Sequence, residues 1–327
     1  REIMKKSFKL FLAAAFLVTE FFVVALPLMI TSAKADGHPI QAITHAGFGG
    51  GTDVTTRMML LRTRRYLKQD MQLVNKKGGG GAASMDYMMT LPADGQHTLT
   101  WTTGHAVSMA LGKTKVKLSD MQPLARGTDD PQLFVVNCKN EIKDAKKFIS
   151  AQKSKSLKYG TTHVGGIDDV SAIAFTKKGK LTDPTIVPYK GVGPIKTNLI
   201  KGDIDVGVLN LGEAVTEIED GTLCVSVVLA SNRMEKLSNV PTATELGIPV
   251  VLSTVRGFVT RKGVPADRKK QLEDAMIKAM EHKYFQSFLT DIGLDSTSVV
   301  GADEWGKQME VMLAEMTAQL KALGYIN

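Results

Sequence analysis

A run of three glycines followed by a threonine and an aspartate is the segment of this chain best suited to chemistry. Gly49, Gly50 and Gly51 precede Thr52 and Asp53. Glycines allow sharp turns that bring several backbone N–H groups close to a ligand. A helix predicted directly after this turn would add its unpaired N–H groups and the positive end of its dipole. The loop is therefore predicted to bind an anion, and phosphate and carboxylate both fit it.

Other kinds of site lack their sequence signatures. The chain has no G-x-S-x-G motif, and its glycine loop has neither a P-loop ending nor G-x-G-x-x-G spacing. No C-x-x-C, H-E-x-x-H or clustered His/Cys set occurs, so we expect no metal and no cofactor. One alternative is an exported hydrolase or transferase that uses the glycine loop as an oxyanion hole. Asp53 and His105 would supply acid–base chemistry, but no nucleophile accompanies them, so we expect a binding protein without catalytic residues.

The first 35 residues have the pattern of a secretory signal peptide. A lysine-rich start precedes an apolar stretch over 8–30 and an A-x-A site that ends at Ala35. The alternative is an uncleaved membrane anchor, because the apolar stretch approaches the length of a membrane span. Glu20 and Pro27 interrupt that stretch. We expect cleavage after Ala35 and export to the periplasm.

The charge of the chain argues against nucleic-acid binding. It has 41 Lys+Arg against 33 Asp+Glu, which gives a net charge of +8. The lysines are scattered rather than clustered, and aromatic residues are few, whereas a nucleic-acid-binding face would be basic and continuous. A modest positive field instead favours small anionic ligands.

Two cysteines, Cys138 and Cys224, would lie in an oxidising compartment after export. They could form one disulfide between two strands of the same domain. They could equally remain two small buried apolar side chains, and the sequence leaves both alternatives open.

The elements that must position the glycine loop alternate between short β-rich runs and helical runs. This alternation predicts parallel sheets built from βαβ units. The predicted strands are Ile40–Thr44, Leu73–Asn75, Thr98–Thr102, Leu133–Asn137, Lys158–Thr161, Thr185–Val187, Ile204–Val208, Leu223–Ala230 and Val251–Thr260. The predicted helices are Val54–Leu67, Ala82–Met89, Lys143–Ala151, Asp168–Lys177, Pro194–Lys201, Ala214–Asp220, Pro265–Lys283, Gln286–Ile292 and Ala302–Leu323.

Two long apolar strands, near Leu133–Asn137 and Leu252–Thr260, bracket the middle of the chain. In the simplest arrangement the chain enters a second domain at the first strand and returns at the second. Domain 1 would then comprise 36–136 and 255–327, and domain 2 would be the insert 137–254. Two doubly wound α/β domains joined by two crossing strands enclose a cleft, and such clefts are preferred ligand sites.

Four groups of segments follow one another along the chain: Gly49–Asp53, Ala93–His105, Tyr159–Gly166 with Val187–Pro194, and Val240–Gly247 with Val255–Phe258 and Lys262–Pro265. Taken in this order, they resemble the periplasmic receptors of tripartite tricarboxylate transporters, the Bug-type binding proteins. The resemblance covers essentially the whole chain after Ala35. It implies a Venus-flytrap fold of the periplasmic-binding-protein type II. It also implies a monomer that passes a di- or tricarboxylate or an aromatic acid to integral-membrane transporter subunits.

The resemblance further implies two carboxylate clamps, one in each domain. The first comprises Phe48, Gly49, Gly50, Gly51, Thr52, Asp53, Thr102, Thr103, Gly104 and His105. The second comprises Thr161, Thr162, His163, Val164, Gly165, Gly166, Tyr189 and Gly191. Gly165 and Gly166 precede a helix that opens with Asp168 and Asp169, which makes a second turn rich in N–H donors. The chain departs from the family at Thr44–Phe48, which lacks the prolines common in relatives and shifts the aromatic residue.

Several clamp residues also have a structural interpretation. Asp53 is favoured as the N-cap of its helix over a direct contact with a ligand. His105 and His163 would either donate to a carboxylate or satisfy backbone groups. Tyr189 would either pack or hydrogen-bond a solute. Arg256, at the return crossing, would either grip a second carboxylate or form an ion pair across the hinge.

Overall fold

The computed structural model describes residues 38–162, 164–322 and 324–326 of the 327-residue chain. The predicted signal peptide over 1–35, its cleavage site and His163 lie outside the described residues. Within the described ranges, none of the helices combines the length and the apolar character that crossing a lipid bilayer requires.

The first sheet has six strands, and three of them run parallel and lead into helices. Its strands are β1 (Ile40–Thr44), β2 (Met71–Asn75), β3 (His97–Thr102), β4 (Met121–Pro131), β10 (Ser253–Arg261) and β11 (Val300–Gly301). Their order is β11-β4-β10-β3-β1-β2, with β2, β1 and β3 parallel and the remaining pairings antiparallel. The helices after the parallel strands are α1 (Gly51–Leu67), α2 (Ala82–Met89) and α3 (Thr103–Ala110). Because parallel strands end at one edge, the loops that open α1, α2 and α3 share that edge.

The second sheet has five strands and repeats this pattern. Its strands are β5 (Leu133–Asn137), β6 (Lys158–Thr161), β7 (Thr185–Pro188), β8 (Val206–Leu209) and β9 (Leu223–Val228), in the order β7-β6-β8-β5-β9. β7, β6 and β8 are parallel, and β5 is antiparallel to both of its neighbours. The helices of this half are α4 (Ala145–Ser154), α5 (Ile167–Lys178), α6 (Val192–Lys201) and α7 (Leu211–Glu219). The C-terminal helices are α8 (Ala266–Met280), α9 (Lys283–Asp291) and α10 (Ala302–Ala322).

The chain crosses between the two sheets twice, and the two crossing segments lie side by side. Gln132 alone separates β4 from β5, and its backbone N–H donates to the carbonyl of Leu252 on the return pass at 2.9 Å. The carbonyl of Gln132 accepts from the N–H of Leu229, also at 2.9 Å. Two mixed α/β sheets joined by two crossings confirm the predicted fold class. The domain limits stay a prediction, and 133–136, assigned to domain 1, pair within the second sheet.

Each sheet has an aromatic centre. In the first sheet the fully buried rings of Trp101 and Trp305 meet at 5.7 Å, so that α10 packs on β3 and β10. In the second sheet Phe134 contacts Phe175 at a ring distance of 4.9 Å and Tyr159 at 5.5 Å. These buried rings bring α10 and α5 onto their sheets and supply much of the apolar burial.

Several elements differ from the sequence prediction, and the short strand β11 was not predicted. β4 was not predicted, because Pro123, Gly127 and Pro131 are typical of turns, yet it is held between β10 and β11 with register shifts. α3 was likewise missed. The helix predicted over Pro265–Lys283 ends at Met280, because the His282 side chain accepts from the N–H of Tyr284 and starts α9 at Lys283.

Cys138 and Cys224 form a disulfide with an S–S distance of 1.98 Å. Cys138 follows β5, and Cys224 lies in β9 opposite Val136. Of the two alternatives that the sequence left open, the bridge between two strands of one domain is therefore confirmed.

Candidate functional site

The first glycine loop connects β1 to α1 and leaves the start of that helix uncapped. Gly50 is the N-cap residue, and the helix has no side-chain cap. Gly49 has a φ of 76°, a left-handed conformation that favours glycine. Its N–H donates to Oδ2 of Asp53 at 3.0 Å. The N–H groups of the first turn of α1 therefore remain open to an anion.

Asp53 holds this loop rather than capping its helix. The helix begins at Gly51 with Gly50 as its N-cap, three residues earlier than the N-cap interpretation of Asp53 requires, so that interpretation was wrong. Arg57 donates to both carboxylate oxygens of Asp53, at 2.9 and 3.2 Å. Burial alone would raise the pKa of Asp53, but hydrogen bonds from Arg57 and Gly49 and the charges of Arg57 and Lys77 lower it. The carboxylate stays ionised and fixes the turn.

The second glycine loop connects β6 to α5 and has the same design. Gly165 has a φ of 68°, and its N–H donates to Oδ2 of Asp169 at 2.6 Å. Gly166 is the N-cap residue of α5, again without a side-chain cap. Both loops thus follow a Gly-Gly-x-x-Asp pattern in which the aspartate binds the first glycine. Asp168 adds to this loop by accepting from the N–H and hydroxyl of Thr162, at 2.8 and 2.6 Å.

Sequence reasoning missed a third glycine loop, Gly78–Gly81, which connects β2 to α2. All four glycines have positive φ angles between 58° and 135°. The hydroxyl of Ser108 on α3 donates to the carbonyls of Gly79 and Gly80 at 2.9 Å. The run of four glycines between a strand and a helix was the signal available in the sequence. This loop ends at the same edge as Gly49–Gly51, so it adds a wall to the candidate site.

The β3–α3 turn supplies the remaining residues of the first clamp, and two of its side chains are used internally. The hydroxyl of Thr103 donates to the carbonyl of Ser253 at 2.9 Å and accepts from the N–H of Val255 at 2.9 Å. These bonds tie α3 to the return crossing at β10. Thr102 and Gly104 flank this residue at the helix start.

His105 is fully buried, and both of its ring nitrogens have partners. Nδ1 accepts from the N–H of Thr102 at 3.0 Å, so the proton of the neutral ring is on Nε2, which lies 3.0 Å from Oγ of Ser84. Burial lowers the pKa of His105 well below its usual value, and the neighbouring His45 lowers it further. The ring is therefore neutral and positions the turn. A direct contact between His105 and a solute stays a prediction.

Arg256 lies beneath the first loop as a buried ion pair with Asp130. Nη1 of Arg256 is 3.3 Å from Oδ2 of Asp130, and Nε donates to the hydroxyl of Thr52 at 3.3 Å. A Cβ on Gly51 would lie 2.6 Å from Nη2 of Arg256, so a larger residue there would displace the guanidinium. Of the two roles considered for Arg256, an ion pair is therefore present, and a contact with a second carboxylate of the ligand stays a prediction.

Asp130 links this ion pair to the second sheet. The pKa of Asp130 is raised to about 7: burial raises it most, Arg256 lowers it, and the charges of Glu213 and Asp129 raise it. The side-chain amide of Asn210, at the start of α7, donates to the carbonyl of Asp130 at 2.9 Å. Burial likewise raises the pKa of Glu213. Ionisable groups from both halves of the chain therefore converge behind the glycine loops.

The remaining clamp residues lie on the second sheet. The N–H of Tyr189 donates to the carbonyl of Thr161 at 2.8 Å, and the half-buried ring packs on Gly160. Gly191, with a φ of 109°, is the N-cap residue of α6 and also has no side-chain cap. Thr161 is buried at the end of β6, and its hydroxyl has no partner among the described residues.

Two loop tips carry exposed apolar side chains. Phe48 is 76% exposed and lies between two cations, 5.8 Å from the Arg57 guanidinium and 5.4 Å from Nζ of Lys77. Val164, at the tip of the second loop, is 67% exposed. These exposed tips, together with three uncapped helix starts, provide apolar contacts and N–H donors suited to a small organic anion. The fold and these loops define a solute-binding protein of the periplasmic-binding-protein type.

Comparison with known proteins identifies the family. Residues 55–323 match the model of the tripartite tricarboxylate transporter family receptor, so the chain belongs to that receptor family, as its sequence predicted. BugT from Bordetella pertussis is 27% identical over 220 residues, which cover 64% of this chain and 66% of BugT.

Two solved structures show the same fold. MatC from Rhodopseudomonas palustris with bound malate has a TM-score of 0.75 at 23% identity, covering 86% of this chain and 98% of MatC. An R. palustris protein with adipate has a TM-score of 0.77 at 21% identity, covering 88% of this chain and 97% of that protein. The chain is thus a solute-binding receptor of a family of periplasmic binding proteins.

Proposed function

We propose that this receptor captures a small organic carboxylate between its two sheets and delivers it to a tripartite tricarboxylate-type membrane transporter. The observation that carries the proposal is the matched pair of Gly-Gly-x-x-Asp loops. In both loops an aspartate binds the first glycine, and the helix start is left without a side-chain cap. Each loop therefore offers backbone N–H donors and the positive end of a helix dipole to an anion.

The ligand class that we propose for these loops is an organic carboxylate rather than a phosphate ester. Backbone N–H groups at helix starts bind either anion. The buried cation next to the first loop, Arg256, is already engaged by Asp130, and the exposed Phe48 suits the carbon skeleton of an organic acid. Relatives solved with malate and adipate, both dicarboxylates, support this class of ligand.

The same site favours binding over catalysis. The aspartates are fixed by backbone N–H groups, and the buried neutral His105 has both nitrogens engaged. The hydroxyl of Thr103 is likewise bonded to β10 on both sides. A hydrolase built on this loop would need a nucleophile activated by a neighbouring base, and none of these groups is arranged in that way.

Substitution of Ile167 tests the role of the second loop. Ile167 is the first residue of α5, and the extended Gly166 before it (φ −84°, ψ −177°) is compatible with a following proline. Ile167→Pro removes one N–H donor, and Ile167→Ala keeps it. We expect Ile167→Pro to weaken binding of a C4–C6 dicarboxylate about tenfold relative to Ile167→Ala, since a hydrogen bond to a charged group is lost.

Isothermal titration calorimetry with malate, adipate, citrate, aromatic acids and nucleotides measures this effect. Ala145→Pro, at the same position of α4, is the matched control, because Asp144 caps that helix with its side chain. It should leave the affinity unchanged. If nucleotides bind and organic acids do not, the proposed function is wrong. If Ile167→Pro and Ile167→Ala bind equally, the second loop does not hold the anion. Loss of acid uptake by cells lacking the receptor would support delivery to the transporter.

The N-terminal segment belongs to the same proposal. A receptor that works in the periplasm must be exported, and the segment over 1–35 has the pattern of a cleaved signal peptide. The intact mass of the protein recovered from the periplasm should correspond to a chain that begins at Asp36. A mass that includes the apolar stretch over 8–30 would instead indicate a membrane anchor.

A further inference from the structure

The outer face of α1 carries a stripe of positive charge. Arg57, Leu61, Arg64 and Arg65 lie at positions i, i+4, i+7 and i+8, a spacing that places them on one face of a helix. All four are exposed, Leu61 to 45%. The segment 54–69 contains no acidic residue that would offset these charges along the helix. We call this face the α1 stripe.

The start of α9 extends the stripe with further cations around an exposed aromatic ring. The guanidinium of Arg62 lies 4.8 Å from the ring centre of Tyr284, and Nζ of Lys283 lies 5.7 Å from it. The ring of His282 is 5.0 Å away. Partial burial and the charges of Arg62, Lys283 and Arg65 lower the pKa of His282, which shows that these cations converge. Tyr284 itself is exposed.

The fold accounts for only part of this concentration of charge. Arg57 pairs with Asp53, but Arg62, Arg64, Arg65 and Lys283 form no ion pair within the described part of the chain. Arg64 and Arg65 lie in the last turn of α1, where the helix dipole favours cations. Lys283 opens α9, where the dipole disfavours a cation. An anionic partner outside the chain would compensate these charges.

We propose that the α1 stripe and the start of α9 hold this receptor on an anionic membrane surface. Cations beside exposed Leu61 and Tyr284 match the boundary between lipid headgroups and acyl chains. There the cations meet phosphates, while the aromatic and apolar side chains are shallowly buried. An acidic protein partner is the competing occupant, and it would leave the receptor unbound to protein-free anionic vesicles. The stripe begins at Arg57, within two turns of the glycine loop, so attachment would keep the candidate site near the bilayer.

Vesicle co-sedimentation tests this attachment with the protein recovered from the periplasm. We expect it to bind vesicles containing about 30% phosphatidylglycerol at low salt, to bind pure phosphatidylcholine little, and to dissociate as salt increases. The variant Arg64→Gln, Arg65→Gln, Lys283→Gln should bind the anionic vesicles at least about tenfold less. The control variant Lys153→Gln, Lys178→Gln, Lys201→Gln removes the same charge from the last turns of three other helices and should bind normally.

A tryptophan probe tests the orientation. Leu61 and Ile200 are both 45% exposed, and the two native tryptophans are buried. The emission of Leu61→Trp should shift to shorter wavelength on anionic vesicles, and that of Ile200→Trp should not. No binding to anionic vesicles at low salt, equal losses in the two triple variants, or a shift confined to Ile200→Trp would each overturn the proposal. Carboxylate affinity is measured separately, so failure here leaves solute capture intact.

Discussion

Asp53 and Asp169 perform the same task in loops from different halves of the chain. Each accepts a hydrogen bond from a glycine four residues earlier, at 3.0 and 2.6 Å, and that glycine has a positive φ. Because the carboxylate is used in this way, it neither caps the helix start nor competes with an incoming anion. The consequence for function is a preformed N–H cradle whose negative charge is engaged by the protein itself.

Asp130 is the residue that gives the stability of this protein an unusual pH dependence. Burial raises its pKa to about 7, so the folded state binds a proton that the unfolded state releases near pH 4. Its contribution to stability is therefore present below about pH 4 and lost as the pH rises toward about 7. Between these pH values the free energy of unfolding should fall by up to about 1.4 kcal/mol per pH unit, because the folded state binds one more proton than the unfolded state. We expect this contribution to be absent in Asp130→Asn.

Urea unfolding from pH 4 to pH 8 measures this difference between the parent and the variant. Other groups, such as the neutral His105, titrate in both proteins and cancel in the comparison. A difference in stability that does not change with pH would mean that Asp130 is ionised throughout as the partner of Arg256.

At the scale of elements, α10 is positioned by one aromatic side chain over one glycine. Trp305 packs against the backbone of β10 at Gly257, where a Cβ would overlap the indole ring. The ring is fully buried and meets Trp101 of β3. The helix is thus anchored to two strands of the first sheet, close to the return crossing that carries Arg256.

Gly257→Ala should destabilise the protein, because the added methyl group displaces Trp305 from a well-packed core. We expect a loss of about 1–3 kcal/mol in the free energy of unfolding. Gly193→Ala is the matched control: Gly193 lies inside α6 with open space around its Cβ position, so alanine should be neutral or stabilising. Chemical denaturation compares the two variants. Equal stability would show that α10 can shift without cost.

At the scale of the whole molecule, the two sheets repeat one plan and are joined through a narrow set of backbone hydrogen bonds. Gln132 bonds to both Leu252 and Leu229, so the outgoing and returning passes support each other. The Arg256–Asp130 pair and Asn210 lie along the same junction. Closure around a solute would have to be accommodated there, between the sheets rather than within them.

The disulfide stabilises the second sheet rather than the junction. Cys138 and Cys224 are separated by 86 residues and join the paired strands β5 and β9. Replacing both by serine should cost about 4 kcal/mol, because the unfolded chain regains the freedom of a long loop. This loss of stability is measured by thermal unfolding of three samples: the oxidised parent, the parent with reductant, and the double serine variant. A reduced parent as stable as the oxidised one would contradict it.

The sequence predicted two glycine turns of the candidate site because such turns depend on local chemistry. The glycine turns after β1 and β6 follow from residue type and spacing, as do most of the strands and helices. It missed β4, whose prolines and glycine are typical of turns, and α3, whose start depends on Thr102 and His105. It also left out Gly78–Gly81, although the signal was a simple run of glycines.

What the sequence by itself determined is the glycine turns after β1 and β6, the alternation of strands and helices, and the resemblance to a receptor family. Only the tertiary structure decided the bond between the two cysteines and the pairing of Arg256 with Asp130. It also decided the burial of His105 and placed the cations of α1 close to Lys283. The first group depends on residues within a few positions of one another. The second depends on distances between residues far apart in the chain, which packing sets and no local pattern specifies.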